Sequence, residues 1–283
     1  MIDETAEEIR EMRTHSSSVV AVKAARALLA VTEEPHHTVE GYRRSLERNS
    51  RALRRANPSH ASLVTTQREI VEAIETADLE SVADAKEHTR AVVEDVIEAV
   101  EAGKEGAARA LADVLEDDST LLLHDYSTTV IRGLEVALER GATVEAYVTE
   151  ARPRHLGRKT ARTLGEMDGV DATLIVDSAA GHVMDDIDEV LVGMDCVVDD
   201  TLYNRVGTYP IAAVAADAGV PVTVAGSSAK IVDGAFQFEN DFRPAAEVIR
   251  EPPEGFDVAN PAYDATPTDL LARIVTDEGV REC

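Results

Sequence analysis

Tryptophan is absent from this chain of 283 residues, and aromatic side chains of every kind make up only 4% of it. Lysine is nearly as scarce: Lys23, Lys86, Lys104, Lys159 and Lys230 are all there are, so arginine carries most of the positive charge. Two cysteines, Cys196 and Cys283, make neither a disulfide framework nor a metal cluster. No apolar run approaches the ~18 residues of a membrane span. The first apolar stretch, Val19 to Val31, is interrupted by Lys23 and Arg26 and lacks a cleavage site, so it does not resemble a signal peptide. No basic face is evident, and a formal net charge of -26 repels phosphate backbones, so a direct nucleic-acid partner is not expected. These absences describe a cytoplasmic protein that calls for no metal and no organic cofactor.

What is present is acid. The chain holds 54 Asp and Glu against 28 Lys and Arg, yet 44% of it is apolar, enough for a real core. An acidic, lysine-poor surface over such a core fits a salt-adapted protein, because molar salt shortens the Debye length to about 3 Å and screens the self-repulsion.

Two textures divide the chain. Residues 1–116 read as a helical domain, with apolar spacing over Val19 to Leu29, Thr38 to Ala56, Ser59 to Thr76 and Ser81 to Ala102. Ser16, Ser17 and Ser18 are capping candidates, and Gly103 and Gly106 mark the approach to a last helix ending near Leu115. Residues 117–283 alternate short apolar runs with helical patterns, which predicts a Rossmann-like α/β domain with a mainly parallel sheet. Strands are expected at Thr120 to Leu123, Val144 to Val148, Ala172 to Val176, Val190 to Val192 and Val222 to Val224, and a final helix at Thr268 to Thr276.

Polar clusters follow several of these runs: His124 to Ser127, Arg152 to Gly157, Asp177 to Ala180, Gly193 to Asp195 and Asn204 to Tyr209. A parallel sheet binds ligands beyond its strand carboxyl ends. Clusters gathered there would set two carboxylates, Asp125 and Asp195, among several guanidinium groups. That is the outline of a sugar-phosphate pocket, although N-capping by Asp125 or Ser127 explains the first cluster equally well. Cys196 reads as a small buried apolar residue.

Taken in order, these stretches resemble the translation initiation factor 2B α/β/δ family, which also contains methylthioribose-1-phosphate isomerase and ribose-1,5-bisphosphate isomerase. The resemblance spans nearly the whole chain. It is carried by Tyr147 to Pro153, Thr173 to Ala179, Val190 to Asp195, Asn204 to Tyr209 and the tail Asn260 to Pro267. It implies a helical domain before a Rossmann-like domain, and homodimers or homohexamers. The isomerases of that family hold a catalytic Cys directly after a His, where this chain has Asp125 after His124. Their Gly-Ala-Asp motif appears as Gly193-Met194-Asp195, their Asn-Lys pair as Asn204-Arg205, and their Arg-Gly-Ala phosphate loop is matched by His15, Ser16 and Ser17.

On this resemblance the first expectation is an initiation factor 2B α-like regulator, with a small phosphorylated metabolite in a vestigial pocket and initiation factor 2 as partner. Its ligand contacts would be His15, Ser16, Ser17, Arg152, Asp195, Asn204 and Arg205, and it would have no catalytic residue. The rival expectation is an aldose-ketose isomerase of the ribose-1,5-bisphosphate type, using Asp125 and Asp195. A scaffold with an empty pocket is the third.

Overall fold

The computed structural model describes residues 2–11, 16–232, 236–252 and 254–283. The chain folds as two compact units, Met1–Ala102 and Gly103–Cys283. The division falls inside a helix, upstream of the 116/117 boundary expected from the sequence.

The first unit is helical. It contains α1 (Ile2–Arg10), α2 (Ser17–Glu33), α3 (Val39–Ala56), α4 (Ala61–Thr76) and the start of α5 (Val82–Val114). Ser16 occupies the N-cap position of α2, and Thr38 caps α3 by accepting the Gly41 amide at 3.0 Å. Leu28, Tyr42, Leu46, Leu53, Ile70 and Ile74 share one apolar core. Inside it the Tyr42 hydroxyl donates to Thr89 Oγ1 at 2.7 Å, which satisfies a buried polar group.

Helix α5 corrects one expectation. Gly103 and Gly106 do not interrupt it; the helix runs unbroken from Val82 to Val114. Each interior glycine costs about 0.5–1 kcal/mol relative to alanine. Here the missing side chains admit a neighbour: a Cβ on Gly106 would lie 2.9 Å from Asp277 Cβ, and one on Gly103 2.7 Å from Ser227 Oγ.

The second unit continues through β1 (Ser119–Leu123), α6 (Thr128–Glu139), β2 (Val144–Thr149), α7 (Gly157–Leu164), β3 (Val170–Ile175), α8 (Ala180–Val183) and β4 (Glu189–Gly193). Next come β5 (Cys196–Val198), β6 (Thr201–Arg205), α9 (Thr208–Ala218), β7 (Val222–Ala225) and β8 (Ile231–Val232). The last strands are β9 (Tyr263–Pro267), β10 (Arg273–Thr276) and β11 (Gly279–Glu282). Seven strands form one sheet in the order β11-β10-β7-β4-β1-β2-β3, parallel except for the β10–β11 pair. The expected Rossmann-like architecture is therefore present.

Strand periodicity builds a core on each face of this sheet. Leu122, Val190, Val192, Val222, Val224 and Ile274 pack with residues of α8 and α9. Their neighbours Leu121, Leu123, Leu191, Ala225 and Val275 point the other way, onto Leu111, Val130, Leu134 and Leu164. Both faces are covered, so the strands read as continuous apolar runs.

Two parts of the unit differ from the sequence expectation. Thr268 to Thr276 is not a helix: after a short 3-10 turn, Arg273–Thr276 runs parallel to β7. The Leu270, Leu271, Ile274 spacing looks helical, but β-branched Ile274, Val275 and Thr276 fit a sheet better. A second sheet, β8-β5-β6-β9, has no counterpart in that expectation. Its strands are short, and polar residues interrupt them.

Candidate functional site

Strand order reverses beside β1: β2 and β3 follow on one side and β4 on the other. A cleft opens beyond the strand ends at such a switch point. Asp125 and Asp195 each stand two residues past the ends of these two adjacent strands, β1 and β4. The fold thus brings the two predicted carboxylates to its natural binding position.

Asp125 has a left-handed backbone, φ 66°, tolerated by aspartate better than by most residues. Thr160 Oγ1 donates to its carbonyl at 2.6 Å, and Arg205 Nε lies 3.5 Å from its Oδ2. Burial pushes the Asp125 carboxyl above the usual carboxylate range, aided by nearby Asp195 and opposed by Arg205 and His124. For Arg205 burial works against the charge, but Tyr263, Asp195 and Asp125 outweigh it and hold the guanidinium above its ordinary value.

His124, buried beneath this pair, donates from Nε2 to the Val206 carbonyl at 2.9 Å, and its Nδ1 is 2.7 Å from Thr149 Oγ1. It ties the β1 end to the turn before α9. That turn requires glycine: Gly207 has φ 111°, and a Cβ there would lie 2.5 Å from His124 Cε1. Asp264 closes the turn by accepting the Gly207 amide at 2.7 Å and the Tyr209 amide at 3.1 Å. The α9 amino terminus therefore already holds a carboxylate.

Asp125 opens onto a small cavity that is partly open to solvent. Arg152, Arg154, Arg205 and Arg243 line it together with Asp125, Glu247 and Asn260. Asp177 shapes the arginine loop by accepting the amides of Ala151 and Arg152 at 2.7 and 2.8 Å. Burial lowers the Arg154 pKa, and the like charges of Arg205 and Arg243 add to the effect while Glu247 opposes it.

The expected contacts divide as follows. Arg152, Arg205 and Asp125 reach the cavity wall. Asp195 is buried and lies near enough to Asp125 and Arg205 to act on both, but is not part of that wall. The Asn204 amide is engaged by Thr208 Oγ1 at 3.0 Å. Ser16 and Ser17 belong to the helical unit, and His15 lies outside the described residues. Ser127 caps α6, accepting the Val130 amide at 3.3 Å. Cys196 is fully buried in β5, and that burial raises its thiol pKa. Sequence reasoning missed Arg243, Glu247 and Asn260. Arg243 and Asn260 stand in irregular chain and Glu247 ends a short 3-10 turn, where no periodicity marks them.

Several relatives similar to nearly the whole of this chain share one name, and others similar to about half of it are named methylthioribose-1-phosphate isomerase. A "Ribose 1,5-bisphosphate isomerase" of Haloferax volcanii is 34% identical over 97% of this chain and 87% of its own length. Another of that name, from Methanocaldococcus jannaschii, is 29% identical over 99% and 91%. Among solved structures, the translation initiation factor eIF-2B subunit delta from A. fulgidus is 26% identical and has a TM-score of 0.76, covering 99% of this chain and 87% of that one. Whole-length likeness to archaeal isomerases corrects the expectation of a non-catalytic regulator. The "Initiation factor 2 subunit family" model matches residues 13–283, and the chain belongs to that family.

Proposed function

We propose that this protein is an aldose-ketose isomerase of the ribose 1,5-bisphosphate type. The observation that carries the reading is Asp125, a carboxylate made more basic by burial, set 3.5 Å from Arg205 in an arginine-lined cavity. The relatives named above support it. In this mechanism Asp125 removes the proton from C2 of the sugar while the C1–O4 ring bond breaks, and O4 takes a proton through Asp195. The enediol keeps its C1 phosphate. Asp125 then returns its proton to C1, and the C2 hydroxyl gives up its own through Asp195 to leave the ketone. Two carboxylates in different environments suit this division of labour.

Purified protein incubated with ribose 1,5-bisphosphate in molar salt is expected to yield ribulose 1,5-bisphosphate, followed by phosphorus and carbon NMR. A rate no higher than that of the buffer blank sinks the reading.

Acidity and lysine scarcity further support a cytoplasmic protein adapted to high salt, and the family resemblance implies assembly as a homodimer or homohexamer. Screening relieves repulsion among 54 acidic residues, so lowering the salt from molar to ~0.1 M should reduce secondary structure and dissociate the assembly. Circular dichroism and sedimentation check this; unchanged spectra and mass would contradict it.

A further inference from the structure

Of the five lysines only Lys230 is buried, and the proposed chemistry does not use it. It ends the 3-10 turn Ser228–Lys230, which follows β7. Asp277 pins that turn by accepting the Ser228 amide at 2.7 Å and the Ser228 hydroxyl at 3.0 Å. From there Lys230 Nζ donates to the Met194 carbonyl at 2.8 Å. The next residue is Asp195, whose amide donates to the Tyr203 carbonyl at 3.1 Å. The single peptide group between Met194 and Asp195 is therefore held at both ends, its carbonyl by Lys230 and its N–H by β6.

Burying an ammonium is costly unless it is paired and hydrogen-bonded. Among the charged groups that act on Lys230, Asp195 is the strongest; Cys196 acts in the same sense and Lys104 against it. Arg205, by contrast, feels both Asp195 and Asp125. The difference matters because the proposed chemistry moves charge. When Asp125 takes the C2 proton and Asp195 gives up its own to O4, the negative charge passes from Asp125 to Asp195. Arg205 attracts that charge in either place. Lys230 attracts it at Asp195.

We propose that Lys230 is a positioning residue for Asp195: its ammonium fixes the Met194–Asp195 peptide and steadies the negative charge on Asp195 at the enediol stage. Lys230 is not part of the cavity wall, so it acts through Asp195 and not on the substrate. A fixed charge aimed at where charge develops lowers a barrier without reorganisation during the reaction. The assignment rests on the isomerase reading above.

Steady-state kinetics with ribose 1,5-bisphosphate across pH tests it. Lys230→Met should lower kcat about tenfold to a hundredfold, the usual loss of a charged hydrogen-bond partner. KM should change less than about twofold, because the stabilisation arises only after binding. Burial lowers the Lys230 pKa, so wild-type kcat should fall as the ammonium deprotonates, at a pH below the usual lysine range. Lys230→Met should lack that alkaline limb, which a merely structural lysine would leave in place. Circular dichroism confirms the fold. Should Lys230→Met fail to fold, Lys230→Arg takes its place: a guanidinium keeps its charge as pH rises, so the limb should vanish while most of the rate stays. A wild-type kcat that stays level into the usual lysine range, an alkaline limb unchanged in either variant, or Lys230→Met with more than half of wild-type kcat would overturn the proposal. No conversion by wild type would remove the isomerase reading and this assignment together, whereas conversion that is indifferent to Lys230 removes this assignment alone.

Discussion

Replacing either carboxylate by its amide should lower turnover of ribose 1,5-bisphosphate about 10²–10⁴-fold, the usual contribution of a general acid or base. Asp125→Asn and Asp195→Asn keep the shape of the side chain but cannot take up the proton, so kcat should fall far more than KM rises. The pH profile separates the two. Burial raises the Asp125 pKa, so in the wild type the proton blocks the base at pH values above the ordinary carboxylate range. Activity should therefore drop on the acid side there and recover as pH rises through the raised pKa. In Asp125→Asn the residual rate should lose that limb. Steady-state kinetics across pH decides it. An Asp195→Asn enzyme with more than half of wild-type kcat would remove Asp195 from the mechanism.

Gly157→Ala should be the most damaging glycine-to-alanine change among the described residues of the α/β unit. A Cβ at Gly157 would overlap the Thr149 carbonyl oxygen and sit 2.9 Å from its carbon. These are backbone atoms at the end of β2, and no rotamer change relieves the overlap. The start of α7 must move off the strand, carrying with it the loop that presents Arg152 and Arg154. Overpacking of a flexible core costs about 1–3 kcal/mol; a backbone clash should reach about 4 kcal/mol, where single substitutions become exceptional. At about 2–4 °C per kcal/mol for a domain of this size, Tm should fall by about 10 °C. Gly181→Ala is the control, because its Cβ would meet only Val214 Cγ1 at 3.7 Å. Equal melting of the two variants would contradict the packing described.

The parallel sheet was legible because its strands are buried on both faces, leaving unbroken apolar runs such as Leu121 to Leu123 and Val190 to Val192. The second sheet was not. Its strand Thr201–Arg205 mixes a threonine, an asparagine and an arginine with two apolar residues, and it pairs in antiparallel fashion with distant β9. Nothing local signals that partner. At the site, Asp125 and Arg152 could be found because each closely follows a short buried strand, and Arg205 because its cluster precedes a helix. Arg243 reaches the same cavity from irregular chain and Glu247 from a short 3-10 turn, positioned by Asn260 contacts that only the folded backbone creates. The roles of Asp264 and Asp177, which hold turn amides in place, likewise depend on contacts across 57 and 26 residues.

The strand order also bears on how a nascent chain acquires this fold. β1, β2 and β3 are consecutive in sequence and adjacent in the sheet, so that half can pair as it is synthesised. The other half cannot: β7 gains its second neighbour only when β10 arrives, with Arg273 meeting Thr223 across fifty residues. Until then the apolar Val222–Ala225 strand presents an open edge able to template pairing with another chain. Glycines of α5 wait equally long for Asp277. Long-range closure of this kind is slow and leaves intermediates prone to aggregation. The period of greatest risk in biogenesis thus falls between translation of β7 and translation of β10, after the Asp125 and Arg152 segments have already been made.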